Sequence, residues 1–164
     1  MSNSPIKRNQ HLMPLSREHH ATLLFAWKLR QGIAKNIDQQ RIINYISWFS
    51  EHFLATHFKT EESQLFREKN DPMIMRALNE HVLISELIYN IVSDKEYSGI
   101  EEIHKLADSI EQHTRFEERE LFPHIEKQLS EAELEKIGRV LALEDLTAEE
   151  NYKDEFWVKE TLSV

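Results

Sequence analysis

HTRFEERELFPH, residues 113–124, sets His113 and Glu117 one helical turn apart on the apolar side of a helix. Upstream, HFKTEE, residues 57–62, repeats the order and the spacing with His57 and Glu61. On a helix, side chains four residues apart share a face, with Cβ atoms about 5–6 Å apart. An imidazole nitrogen and a carboxylate oxygen so placed can close on one metal ion or bridge two.

Working outward, each pair falls in a row of apolar residues at three- and four-residue steps, the signature of an amphipathic helix. Ile103, Leu106, Ile110, His113, Glu117 and Leu121 form one row, and Ile42, Ile46, Phe49, Phe53, His57, Glu61 and Leu65 another. Two further rows hold a histidine each. Leu12, Leu15, His19, Leu23, Ala26, Leu29 and Ile33 make the first, and Ile74, Leu78, His81, Ile84, Ile88 and Ile91 the other. Four helices with a histidine in every buried row predict an all-α fold, an up-down-up-down antiparallel four-helix bundle over residues 12–128. Residues 1–11 read as a flexible N-terminus and 129–164 as a helical C-terminal extension.

The boundaries follow from capping chemistry. Ser16 is a candidate N-cap for the first helix, Gly32 and the KNID segment a break, and Asp38 the cap of a second helix running to about Lys69. Asp71 and Pro72 open the third, and Ser98 with Glu101 has capping-box spacing for the fourth. Pro123 should end or kink that helix. Ser130 with Glu133, then Thr147 with Glu150, open short helices in the extension, whose Tyr152, Phe156 and Trp157 are expected to cover the bundle. The alternative is that they contact a second subunit or a protein partner.

Composition narrows the function. With 164 residues the chain forms one domain with a sizeable core. No cysteine is present, which excludes disulfides, thiolate zinc sites, iron–sulfur clusters and cysteine nucleophiles. A net charge of −9 disfavours a nucleic-acid partner. No signal core or membrane-length apolar run appears, so a cytoplasmic protein is the expectation. There is no catalytic triad or phosphate loop.

A carboxylate buried without a partner in a helical core costs several kcal/mol. Glu61 and Glu117 have no Lys or Arg at matching positions of the other rows; Lys59 and Arg115 point elsewhere. Divalent cations would neutralise both carboxylates and give the four imidazoles a partner. His20, His52 and His104 are rotated off the rows, and His11 and His124 lie near the bundle ends, so these five read as surface or structural. Phe53, Phe116, Leu23, Leu78 and Ile84 flank the site and read as a dry, narrow pocket or as ordinary core. Glu62 and Glu118, next to the two carboxylates, either accept N–H bonds from the histidines or, the reading favoured by their rotation off the row, lie in solvent.

LSREHHATLL (15–24), HFKTEE (57–62), EHVLI (80–84) and HTRFEERELFP (113–123) together resemble the hemerythrin-like family of histidine–glutamate cation-binding bundles. The resemblance implies a non-haem di-iron centre with His19, His57, Glu61, His81, His113 and Glu117 as ligands and the two carboxylates bridging. Zinc and manganese stay open on ligand chemistry. Ferritin-like bundles are the rival, but their Glu-x-x-His element occurs here only as Glu101 with His104. Oxygen-carrying members place a second histidine four residues after the first on the third helix, where this chain has Ser85. They also use a wider His-to-Asp spacing in the last helix. The family implies a protein that binds or senses oxygen or nitric oxide, or handles iron. The alternatives are a di-iron oxidoreductase acting on oxygen, peroxide or nitric oxide, and a metal-stabilised interaction module.

Overall fold

The computed structural model describes residues 7–93, 99–144 and 151–158. A 3-10 turn, Gln10–Leu12, leads into α1 (Met13–Ala34). Then come α2 (Gln39–Phe49), a π turn (Ser50–Leu54), α3 (Ala55–Gln64), α4 (Pro72–Ser93) and α5 (Ile100–Phe116). A second π turn (Glu117–Leu121), α6 (Phe122–Gln128) and α7 (Glu131–Leu143) complete the order. α2 runs through its π turn into α3, and α5 through the second into α6, giving four long rods and α7.

Pairs of touching residues fix the direction of each rod. Along α1, His19 meets His57 and Phe25 stacks on Phe49 at 4.2 Å, while Gly32 lies against Ile42. The second rod therefore runs against the first. Against α4, α5 shows the same reversal, with Arg76 over Phe116 and Glu80 at His113. So does α5 against α1, where Glu118 meets Ser16, Thr114 meets Thr22 and Asp108 meets Arg30. The last rod thus closes on the first, and the antiparallel bundle is as expected.

Two apolar clusters fill the bundle, one on either side of a polar level. Phe25, Phe49, Phe53, Ile84, Leu106 and Ile110 belong to the first, and Leu15, Leu65, Phe66, Leu121, Phe122 and Ile125 to the second. Between them lie the buried Glu18, His19, Thr22, His57, Thr60, Glu61, His81, His113, Thr114 and Glu117.

Several boundaries differ from expectation for local reasons. α1 begins at Met13 with Pro14 in its first turn, so Ser16 is inside the helix and its hydroxyl donates to Glu118 instead of capping. Gly32 does not break α1; it is buried, and a Cβ there would come within 2.8 Å of Phe156 and 2.9 Å of Ile42. The chain turns later, at Asn36, in the left-handed region at φ 53°. Asp38 caps α2 as read. The rod carrying His57 stops at Gln64 rather than Lys69, and Leu65 and Phe66, both buried, follow it in the second cluster. Pro123 does not end the last rod. The π turn ahead of it bonds the Phe122 N–H to the Glu117 carbonyl, five residues back, and α6 resumes with the proline in its first turn, where its missing N–H is tolerated.

Asp71 accepts from the Met73 N–H at the start of α4, and Ser130 with Glu133 forms the expected capping box. Ser98 and the Thr147–Glu150 pair lie outside the described residues. Residues 1–6 do as well, but from Arg8 onward the N-terminal segment is tied to the bundle. Arg8 bonds Glu126 at 2.9 Å and Glu118 at 3.2 Å with a side chain only 5% exposed. α7 buries Leu134, Ile137 and Leu141 in the second cluster, and residues 151–158 follow as turns rather than helix. Phe156, 3% exposed, packs edge-on to Tyr45 in the first cluster, and Trp157 takes the Lys28 ammonium 4.1 Å above its ring. The tail therefore covers the bundle. Phe156→Ala is expected to cost about 3 kcal/mol of unfolding free energy, read by urea titration at fixed metal load; a loss under about 1 kcal/mol, the size of ordinary surface changes, would mean that the tail does not complete the core.

Candidate metal centre

Each rod contributes to the polar level because its buried row crosses the bundle there. His19 comes from α1, His57 and Glu61 from α3, His81 from α4, His113 from α5 and Glu117 from the first residue of the second π turn. All six are buried, at 3% exposure or less, and both carboxylates are at 0%. The structure brings them together in two overlapping sets. His19, His57, Glu61 and Glu117 present ligand-type atoms within 4.8 Å of one another, and so do His81, His113, Glu61 and Glu117. The two carboxylates belong to both sets.

Separations inside the sets are short. His19 Nε2 lies 2.9 Å from Glu117 Oε2 and 3.5 Å from Glu61 Oε2, and His57 Nε2 lies 2.9 Å from Glu61 Oε1. On the other side His113 Nε2 is 2.8 Å from Glu117 Oε1, while His81 Nε2 is 3.6 Å from Glu61 Oε1 and 3.5 Å from Glu117 Oε1. Despite this proximity, Nε2 of His19, His81 and His113 and all four oxygens of Glu61 and Glu117 are buried with no hydrogen-bond partner. Buried polar atoms are nearly always paired, so seven unpaired ones in one place call for an ion. Atoms that each sit about 2.1 Å from a shared cation lie roughly 3 Å apart at right angles. The donor set and its spacing therefore fit cations.

The opposite ring nitrogens are all engaged. Nδ1 of His57 meets Glu18 at 3.1 Å, Nδ1 of His81 meets Glu62 at 2.7 Å, Nδ1 of His113 meets Glu80 at 3.0 Å and Nδ1 of His19 meets Glu118 at 2.6 Å. An ionised carboxylate only accepts, so Nδ1 carries a hydrogen in each ring and Nε2 is left facing inward, where it can hold a proton or, once deprotonated, a cation. Glu62 and Glu118 are thus bonded to histidines while remaining partly exposed to solvent. Glu18 and Glu80 escape a reading by rows alone. Their signal is adjacency: each immediately precedes a buried histidine, as Glu62 and Glu118 immediately follow a buried carboxylate.

Aromatic rings wall the centre. Phe58, which the row pattern does not single out, stacks on His81 at 3.8 Å, Phe122 on His19 at 5.1 Å and Phe53 on His57 at 5.9 Å. Phe116 faces Arg76 instead. The other five histidines stay apart. His20, His52 and His104 are exposed, His11 pairs with Glu131 and His124 with Asp71.

Charge at this level is strongly coupled. Burial pulls the His57 imidazole down, but the Glu61 charge and the contact with Glu18 outweigh it and raise the ring to about 9. For His113, burial is likewise outweighed, chiefly by the Glu117 charge, and the ring rises to about 10. His19 is raised well above the usual imidazole range against its own burial by Glu117, Glu118 and Glu61. Glu117 is held well below the carboxylate range, where burial is overcome by His113, His19 and His81. Glu118 falls to about 2, its burial offset by His19 and then by Ser16 and Arg8. Positive charge is what the carboxylates demand, and either protons or cations can meet that demand.

A match to the family model "Hemerythrin HHE cation binding domain" covers residues 14–125. The chain belongs to the hemerythrin HHE family. No curated protein and no solved structure matches the chain. The cation-binding function of this hemerythrin-like domain agrees with the two sets of inward-facing donors, and no helix among the described residues is long and apolar enough to cross a membrane.

Because their folded values are raised, protonated His57 and His113 stabilise a chelated protein fully below pH 6.5, and that stability is lost as pH rises through about 9 and 10. The melting temperature of the chelated domain is therefore expected to fall between pH 6.5 and 10. Cation-loaded protein, whose imidazoles need no proton, should hold its midpoint over the same range. Parallel curves for the two forms would contradict this exchange of protons for metal.

Proposed function

We propose that His19, His57, Glu61, His81, His113 and Glu117 are the ligands of a two-metal centre, with iron in both positions and Glu61 and Glu117 shared between them. The single observation that carries this reading is the set of seven buried, unpartnered donor atoms arranged in two groups with the same two carboxylates in common. Each position receives two imidazole nitrogens and two carboxylate oxygens. For a metal that takes six ligands this leaves about two places per ion for small exogenous ligands. Mixed nitrogen and oxygen donors without sulfur suit iron, and the family match supports a resident cation.

On this reading the protein binds or senses oxygen or nitric oxide, or handles iron. When bound, the metal pair supplies open coordination positions to a diatomic ligand. The chain's own part is to hold the imidazoles in one tautomer through Glu18, Glu62, Glu80 and Glu118, and to keep bulk water out with Phe53, Phe58 and Phe122. A narrow site walled by aromatic rings admits a diatomic molecule more readily than a bulky substrate.

His57→Ala and Glu117→Ala are each expected to remove most of the iron from the purified protein, and Glu117→Ala should disturb both positions. His20→Ala and His104→Ala should retain full iron content. Elemental analysis with optical spectra under nitrogen, oxygen and nitric oxide reads the outcome. Equal losses in all four variants would refute the ligand assignment, and spectra indifferent to both gases would refute gas binding.

A further inference from the structure

We propose that the two metal positions exchange unequally: the His81–His113 position opens to solutes and to the metal itself across the flanks of α4, while the His19–His57 position is sealed by the N-terminal segment. This rests on the two-metal reading and adds which position is labile.

The first observation is where the cavities lie. One of about 380 Å³, between α3 and α4, is lined by His81 and its carboxylate partner Glu62, together with Phe58, Val82 and Ser85. A second, of about 200 Å³ between α4 and α5, is lined by His113 and its partner Glu80, with Leu83, Ile84, Ser109 and Gln112. These two cavities thus reach the same pair of histidines, from the two sides of one helix. Water or a chelator in either cavity touches the imidazole and the carboxylate that holds it.

The second observation is how firmly those carboxylates are held. Glu62 has a side chain 41% exposed. Glu80, 25% exposed, has as its other partner Arg76, whose own side chain is 53% exposed. At the other position Glu18, which holds His57, is 7% exposed. Glu118, which holds His19, is 29% exposed but clamped: it accepts from Ser16 at 2.8 Å and from the Arg8 guanidinium, itself only 5% exposed. Arg8 also lies 5.2 Å from the centre of the Phe122 ring, and that ring stacks on His19. A carboxylate that is exposed, or whose other partner is exposed, trades its imidazole for water at little cost, whereas one that is buried, or clamped by a buried cation, does not. His81 and His113 can therefore swing off a metal at lower cost than His19 and His57. Arg8 belongs to a segment outside the four rods, so the seal and the bundle are separable by mutation.

The test is release of ferrous iron from the anaerobic, fully loaded protein to excess bipyridyl, followed by absorbance. Two phases of equal amplitude are expected, at least about tenfold apart in rate, the scale of one charge-assisted hydrogen bond. Filling both cavities with Ser85→Trp and Ser109→Phe should slow the fast phase and leave the slow one. Arg8→Ala should accelerate the slow phase and leave the fast one. Single-phase release from protein carrying two irons would overturn the inference and leave the two-metal reading intact. So would an unchanged fast phase in the cavity-filling variant, which keeps the test decisive if Arg8→Ala fails to fold. A wild-type protein that holds a single iron would overturn the two-metal reading and this inference together.

Discussion

Two carboxylates with no solvent exposure stand at the middle of a helical bundle, and the rest of the structure is arranged around their charge. Glu61 and Glu117 lie between two apolar clusters, where an ionised carboxylate costs several kcal/mol unless positive charge is close. Four more carboxylates surround them through the histidines, so the level holds six acidic groups. Arg8 pairs with Glu118 and Arg76 with Glu80, and two divalent cations would balance the remainder. The same balance explains why the imidazoles are driven toward protonation when protons are the alternative. A core of this kind is stable only when supplied with positive charge, which couples folding to whatever delivers it.

The outer carboxylates also tie the rods to one another in a closed circuit. Glu18 on α1 holds His57 on α3, Glu62 on α3 holds His81 on α4, Glu80 on α4 holds His113 on α5, and Glu118 in the following π turn holds His19 back on α1. Each rod fixes the ring orientation of its neighbour, so a rotation of one rod disturbs the donor atom of the next. Precision at the centre is thereby a property of the bundle and not of single side chains, as metal sites with ordered outer partners require. The circuit also has an internal two-fold pattern: the odd members precede a buried histidine, and the even members follow a buried carboxylate.

This pattern shows where sequence reasoning reached and where it stopped. Periodicity and cost exposed the inner six residues, because a histidine or glutamate in an apolar row is anomalous on its own helix. The four rods and their order followed from the same rows and from the Asp38 and Asp71 caps. Glu18 and Glu80 are not anomalous on their own helices. A residue next to a row is rotated by about 100°, which on an isolated helix points toward water and in a bundle points at the next rod. Arg8 was hidden for a related reason, since a polar N-terminal stretch looks loose until the acidic groups at Glu118 and Glu126 are placed beside it. Leu23 and Ile33 lean the other way: both sit in the α1 row yet are only half-buried, while their neighbours Thr22 and Gly32 are buried.

The π turns answer a difficulty that the rows themselves contain. Phe49, Phe53, His57, Glu61 and Leu65 are all buried and are spaced by four residues throughout. Each such step overshoots a full turn by about 40°, so on a uniform α-helix the last of them would point about 160° from the first. The π turn Ser50–Leu54 accommodates one additional residue and takes back roughly 100° of that drift, which lets the rod serve both apolar clusters and the polar level between them. His113, Glu117, Leu121 and Ile125 pose the same problem on the last rod, and the turn Glu117–Leu121 solves it in the same way. Pro123 fits this account, because a wider turn ahead of it removes the carbonyl that an α-helical proline would strike. Each inward-facing histidine–glutamate pair therefore sits beside a local widening of its helix. Without that widening, a histidine and a glutamate four residues apart could not both face inward while their rod stays packed at both ends.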